Sequence, residues 1–331
     1  MTNRYFLDRT FNINPKTARA LLARTGWAMT LALALTAMLA PRTQAQTYSV
    51  LYSFTNAGDG AYPYGGVTVD STGNLYGTTY QGGKVKDCGL FAGCGVVYKL
   101  DPSGKLTVLH SFVGNSDGRQ PYFGNLFRDS AGNIFSTTVY GGIKNNIGVG
   151  TAFEITNTGH ESILHQFLGG ADDAQQPNQG LIHDADGYFY GTSVAGGSAE
   201  YGTVYRMSKS GKIKILHTFT GLDGDGANPA ASVTVGKDGV IYGTTENGGS
   251  PTAPCPSSYI AAAGCGTVFE LLPPPAPGDA WAEKVLYAFS NQNGDGAYPT
   301  SALALDPAGV LFGTTSAGGA AGFGTVFAIK P

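Results

Sequence analysis

Ser49-Val50-Leu51-Tyr52-Ser53-Phe54 and the terminal stretch Gly324-Thr325-Val326-Phe327-Ala328-Ile329-Lys330-Pro331 decide the fold when they are read together. Between them one pattern recurs five times: an apolar strand, a Gly/Asp turn, an aromatic-Gly-Thr-Thr segment, a Gly-rich loop, a Gly-Thr-Val-aromatic strand, and a strand ending in Phe. The fifth copy stops at Pro331 without its Phe-terminated strand, and Ser49–Phe54 supplies one. An array whose two ends complete one unit predicts a ring. In that ring Ser49–Phe54 pairs with the last sheet and covers its open edge.

The five copies align on Leu75-Tyr76-Gly77-Thr78-Thr79, Ile134-Phe135-Ser136-Thr137-Thr138, Phe189-Tyr190-Gly191-Thr192-Ser193, Ile241-Tyr242-Gly243-Thr244-Thr245 and Leu311-Phe312-Gly313-Thr314-Thr315. Their spacings of 59, 55, 52 and 70 residues mark a repeat architecture. Each unit holds four short strand patterns with period-2 alternation, in the first unit Gly66–Asp70, Asn74–Tyr80, Gly95–Asp101 and Lys105–Phe112. Asp70-Ser-Thr-Gly-Asn74 and Asp101-Pro-Ser-Gly-Lys105 read as tight turns, where Asp, Ser and Gly supply the needed backbone angles and local hydrogen bonds. The whole predicts an all-β, five-bladed β-propeller closed by its N-terminal strand. An open β-solenoid is the rival, but it calls for parallel coils and atypical end caps rather than hairpin turns and a split last unit.

A four-stranded meander alternates its connections between two faces. Short, uniform turns join the first strand to the second and the third to the fourth. The loops between second and third strands, and those between units, fall on the other face. That second face carries the variable material, and variable loops on a rigid scaffold are where binding concentrates.

The chain has 331 residues, 50 of them glycine, and only 13% are charged. Residues 1–45 read as a secretory leader: a basic start, an apolar tract Trp27–Ala40, then Pro41 and Thr43-Gln44-Ala45, with cleavage expected near Ala45. Residues 46–331 then form one repeat domain with no membrane span, secreted or periplasmic. Those residues carry 14 bases and 22 acids, which disfavours nucleic acid and anionic membranes as partners. In an exported chain the local pairs Cys88/Cys94 and Cys255/Cys265 default to disulfides. The alternative, a four-cysteine metal site, lacks CxxC spacing.

The pattern Asp-Gly-Ala-x-Pro, Asp-x-x-Gly-x-Leu-Tyr-Gly-Thr-Thr-x-x-Gly-Gly, Gly-Thr-Val-Phe-x-Leu resembles the GloVer (Gloeo/Verruco) repeat of exported bacterial proteins. The match extends over essentially residues 48–331. It departs at Ser116-Asp117-Gly118-Arg119-Gln120-Pro121 and Asp172-Asp173-Ala174-Gln175-Gln176-Pro177. The resemblance implies export and repeat identity and supplies no catalytic residue.

Five loops carry an acid at one matched position, Asp59, Asp117, Asp173, Asp225 and Asp295. Asn291-Gln292-Asn293-Gly294-Asp295 has the alternate-oxygen spacing that opens a calcium loop, so Asp223, Asp225, Asn291, Asn293 and Asp295 are calcium candidates. The plainer reading is an Asp/Gly turn satisfying its own backbone before a Pro. His110, His165 and His217 share one fourth-strand position with Tyr52 and Tyr287, which points to a structural bond between sheets. His183 and Arg128 are unique first-strand residues and candidates to line a central channel. Glu200 and Glu246 are the nonrepeated acids on the variable face.

No Ser-His-Asp arrangement, phosphate loop or GxSxG elbow is visible, and no cofactor is expected apart from calcium. The Thr-Thr and Gly-Gly segments read either as a ring of shallow sugar pockets or as a repeated packing core. These readings favour a noncatalytic binding protein for extracellular glycan or protein. The alternatives are a glycan-processing enzyme with its site at the channel mouth, and a structural surface or matrix protein.

Overall fold

A computed structural model describes residues 48–331 apart from 86, 87, 90, 91, 115, 143–147, 251, 254, 256–262 and 277. The leader read at 1–45 lies outside the described residues. Four antiparallel sheets of four strands follow one another, each in sequential order. The first is Thr68–Val69, Leu75–Thr79, Val96–Leu100, Leu106–Ser111. The second is Phe127–Arg128, Ile134–Thr138, Thr151–Ile155, Glu161–Gln166. The third is Ile182–His183, Phe189–Ser193, Thr203–Met207, Ile213–Thr218. The fourth is Thr234–Val235, Ile241–Thr245, Thr267–Leu272, Ala282–Ala288. A fifth sheet has three strands, Ala304–Leu305, Leu311–Thr315 and Thr325–Ile329. The one helical turn among the described residues is Lys237–Gly239.

Cross-strand geometry explains the repeat's Gly. Gly77, Gly191, Gly243 and Gly313 stand opposite Tyr98, Tyr205, Phe269 and Phe327. In each case an added Cβ would run into the aromatic ring. The absent side chain is what lets the ring lie flat across the sheet. The Thr-Thr segment also has a structural explanation. The second hydroxyl pairs within the sheet, as in Thr138–Thr151, Thr245–Thr267 and Thr315–Thr325, all at 2.8 Å. The first reaches a carbonyl of the next unit: Thr137 to Gln179 at 2.7 Å, Thr192 to Ala231 at 2.8 Å and Thr244 to Ser301 at 3.2 Å. These buried threonines hold units together, so the packing reading of the segment stands.

The core repeats as well. Each fourth strand is followed directly by a Phe whose ring meets the third-strand aromatic of the following sheet. The contacts are Phe112–Phe153, Phe167–Tyr205, Phe219–Phe269 and Phe289–Phe327, at 5.2, 5.3, 5.1 and 5.2 Å between centroids. The two-faced layout is visible in small ladders that join the loop between units to the loop after the second strand. Ala174–Gln175 pairs with Ala195–Gly196, Gly226–Ala227 with Asn247–Gly248, and Gly296–Ala297 with Ala317–Gly318. Both cysteine pairs form disulfides, Cys88–Cys94 and Cys255–Cys265.

Among the described residues the expected ladder between Ser49–Phe54 and the last sheet is not formed, and no closed sheet is present. Leu51–Phe54 has no strand partner among the described residues, and Val326 on the outer strand is 82% exposed. Tyr52 and Phe54 instead pack on the first sheet beside Val96, Tyr98 and Leu100, with Phe54 5.1 Å from Tyr98. The segment thus makes the Phe-to-next-sheet contact of a fourth strand without the backbone ladder. The physical difference is distance along the chain. The aromatic contact joins adjacent parts of the array, whereas the ladder would join its two ends.

Candidate functional site

The loop between each pair of units ends in an x-Pro step, and the residue before the proline is left-handed every time. Tyr62, Gln120, Gln176, Asn228 and Tyr298 have φ of 57°, 59°, 56°, 55° and 56°. That conformation is costly for a side-chain-bearing residue and persists only where its surroundings over-determine it. Here two hydrogen bonds do so. The N–H of Gln120, Gln176, Asn228 and Tyr298 donates to Cys94, Val149, Tyr201 and Cys265 of the preceding unit, at 2.8, 2.7, 2.7 and 2.9 Å. Each carbonyl accepts from the residue just after its own unit's second strand, as from Val139 to Gln120, Val194 to Gln176 and Glu246 to Asn228. The result is a set of rigid side-chain mounts on the loop-rich face. Their identities vary while the frame around them does not.

Two of these pairs, Val194 with Gln176 and Glu246 with Asn228, line a cavity of about 230 Å³ together with Val139, Tyr140, Asn178 and Asn247. The Asn247 amide donates to Asn228 Oδ1 at 3.3 Å, and the Asn228 amide donates to the Val194 carbonyl at 2.8 Å. The side-chain oxygens of Asn178 and Asn247 are buried with no hydrogen-bond partner among the described residues. Such acceptors favour a ligand that brings donors. Burial pushes the Glu246 carboxyl above its ordinary range.

The first two units also carry an aromatic platform. Tyr64 sits 6.0 Å from Tyr62, 5.7 Å from Tyr80, 5.5 Å from Tyr122 and 5.8 Å from Phe123. Tyr62, Tyr64 and Phe123 are about half exposed, at 54%, 49% and 44%. Burial, followed by the neighbouring hydroxyls of Tyr140, Tyr122 and Tyr64, pushes the Tyr80 phenol up to about 12. Tyr140 lines the cavity, its hydroxyl acts on Tyr80 of the platform, and the Arg119 guanidinium lies 5.6 Å from its ring centre.

Of the side chains singled out in the sequence, Glu246 lines the cavity. Glu200 is exposed on a left-handed turn. His183 stacks on Phe127 at 4.6 Å, and Arg128 lies over the Tyr76 ring at 5.1 Å, so both pack against a neighbouring unit. The repeated loop acids share one arrangement. Asp59, Asp117, Asp173, Asp225 and Asp295 accept from the N–H of Thr55, Val113, Leu168, Thr220 and Ser290, at 2.8, 2.9, 2.8, 2.7 and 2.7 Å. The fourth-strand residue approaches the same acid: Tyr52 donates to Asp59 at 2.9 Å, and His110, His165 and His217 lie 3.2, 3.1 and 3.5 Å from Asp117, Asp173 and Asp225. The His/Tyr position therefore bonds to its own following loop rather than between sheets. Asp223, Asn291 and Asn293 are exposed on left-handed positions of these loops.

The fold and this face define an all-β repeat protein whose units present variable side chains on a common frame. The chain belongs to the Gloeobacter/Verrucomicrobia repeat family, which it matches over residues 38–182, 87–253 and 148–331. No curated protein matches the sequence. Among solved structures, it is similar to a gluconolactonase from Xanthomonas campestris, at 14% identity and a TM-score of 0.40, over 71% of this chain and 68% of that one. It is also similar to the extracellular domain of a putative hybrid two-component system from B. thetaiotaomicron, at 13% identity and a TM-score of 0.43, over 79% of this chain and 27% of that one. A putative 6-phosphogluconolactonase from Bacteroides uniformis matches at 14% identity and a TM-score of 0.38, over 76% and 77% of the two chains.

Proposed function

We propose that this chain is an extracellular binding protein that holds a glycan, without catalysis, on its loop-rich face. The observations that carry the reading are the half-exposed Tyr62–Tyr64–Phe123 platform and a cavity of unpartnered amide oxygens and one carboxyl. Sugar rings offer C–H faces to aromatic rings and hydroxyl donors to such acceptors. Glycoside hydrolysis generally uses two facing carboxylates, and Glu246 is the one carboxyl in the described cavity lining. Two disulfides suit an oxidising compartment. No helix among the described residues is long and apolar enough to cross a membrane.

The proposal includes closure into a five-bladed β-propeller. A groove of about 390 Å³ flanks Thr325–Ile329 and is lined by Tyr287, Phe289, Asp295 and Phe327. In each complete unit a fourth strand fills the corresponding place. Val50–Phe54 has the matching sequence, so its ladder with Thr325–Ile329 would fill the groove and cover the exposed edge.

A glycan array probed with residues 46–331 tests the binding reading. Saturable binding is expected, weakened about tenfold or more by Tyr64→Ala and by Glu246→Gln, a loss of about 1.4 kcal/mol or more. Failure to bind any oligosaccharide, or binding indifferent to both changes, refutes it.

A further inference from the structure

We propose that His217, Asp225 and Glu283 form a divalent transition-metal site, of the kind Zn²⁺ fills, that clasps the third unit to the fourth. The three residues come from separate places: His217 from the third sheet's last strand, Asp225 from the loop after it, and Glu283 from the fourth sheet's last strand. Their ligand atoms all lie within 4.8 Å of one another.

Four observations point to a cation. The first is spacing. His217 Nε2 is 3.5 Å from Asp225 Oδ1, against 3.1 Å in the His165–Asp173 pair, where no Glu is aligned with Glu283. Two ligands of a tetrahedral ion bound at roughly 2.0–2.2 Å stand about 3.3–3.6 Å apart. The second is an orphan atom. Glu283 Oε1 is buried and has no hydrogen-bond partner among the described residues, a costly state that a bound cation relieves. The third is support. Asp225 accepts from the Thr220 N–H and hydroxyl and from the Gly226 N–H at 2.7–2.8 Å, which fixes the carboxylate as metal ligands require. The fourth is access. The His217 and Asp225 side chains are 19% and 17% exposed, which leaves a path for the ion and for a water as further ligand. One imidazole with two carboxylates is a donor set for Zn²⁺ rather than Ca²⁺, which takes six or more oxygens.

The repeat supplies its own control. The position aligned with Glu283 is Ile213 in the third unit, so the His165–Asp173 pair has no third ligand there; in the second unit it is Glu161, near His110 and Asp117, and among the described residues the ligand atoms gather within 4.8 Å only at His217, Asp225 and Glu283. Tyr stands where His217 would be in two units, at Tyr52 and Tyr287, so His→Tyr keeps a side chain the repeat already uses.

The test is titration of chelator-stripped residues 46–331 with Co²⁺, read by visible absorption, followed by Zn²⁺ competition and thermal unfolding. One equivalent of Co²⁺ is expected, displaced by Zn²⁺, with a higher Tm in Zn²⁺. Glu283→Gln and His217→Tyr, each verified as folded by circular dichroism, should weaken binding at least tenfold, while His165→Tyr leaves it unchanged. Absence of saturable Co²⁺ uptake overturns the proposal. So does uptake that survives both Glu283→Gln and His217→Tyr, or that is lost equally in His165→Tyr.

Discussion

Phe54→Ala separates a closed ring from an open array. The counterparts of Phe54 in the four complete fourth strands are Phe112, Phe167, Phe219 and Phe289, each only 0–2% exposed. Truncating such a ring costs about 3–5 kcal/mol. In the open arrangement Phe54 is only partly buried and rests on Tyr98 in an edge contact. Its removal would then cost about 1–2 kcal/mol, from partial burial and one aromatic pair. Phe167→Ala serves as reference, because its site is enclosed in either arrangement and should lose about 3–5 kcal/mol. Equilibrium urea unfolding of residues 46–331, followed by circular dichroism and by the fluorescence of Trp281, gives both values. Closure predicts that the two losses agree to within about 1 kcal/mol and that each variant unfolds in a single transition. A Phe54→Ala loss no larger than about 1–2 kcal/mol, beside a full loss for Phe167→Ala, would refute closure.

Other outcomes follow from local chemistry. The Asp70 carboxyl is held below its ordinary 3.8 chiefly by the Asn74 side chain, and Asp101 is held down by Ser103. Both therefore stabilise the fold above about pH 4 and lose that contribution as pH falls through their folded-state values. Unfolding scans should show stability dropping in that acid range, and Asp70→Asn should flatten the drop. Cys88–Cys94 and Cys255–Cys265 close loops with separations of 6 and 10 residues. By chain entropy each stabilises by about 2–3 kcal/mol, so denaturation of Cys88→Ala/Cys94→Ala should show a loss of that size. Gly118 has φ of 89°, and a Cβ there would strike the hydroxyls of Thr138 and Thr151. Gly118→Ala should lower Tm measurably, whereas Gly187→Ala, with open space around it, should bear only the backbone strain.

The strands and tight turns were legible in the sequence because each rests on local chemistry repeated five times, and the two cysteine pairs because each lies within one short loop. Asp70 and Asn74, for example, announce their turn by residue type alone. The candidate site was less legible for the opposite reason. Tyr62, Gln120, Gln176, Asn228 and Tyr298 differ from unit to unit, and a residue before proline usually avoids the helical regions, so nothing flagged them as left-handed mounts. One signal was available: a variable residue held directly before a repeated Pro and three residues after a repeated Asp. Tyr64, Tyr122 and Phe123 belong to single units, and their gathering into one platform depends on how neighbouring units pack. Glu246 stood out as a nonrepeated acid, yet its neighbours Asn178 and Asn247 come from loops whose meeting no spacing reveals. The matched acids and the His/Tyr position were each visible, but their pairing across seven or eight residues depends on the turn between them. Closure rests on the most distant contact in the chain, a ladder absent among the described residues.

The most direct test of glycan recognition on the loop-rich face is a crystal structure of residues 46–331 with the oligosaccharide selected on the array. A sugar ring lying over Tyr62 and Tyr64, with hydroxyls donating to Asn178, Asn247 or Glu246, is the expected result. A sugar bound on the face of short turns, or at the unit edges away from these residues, would contradict it.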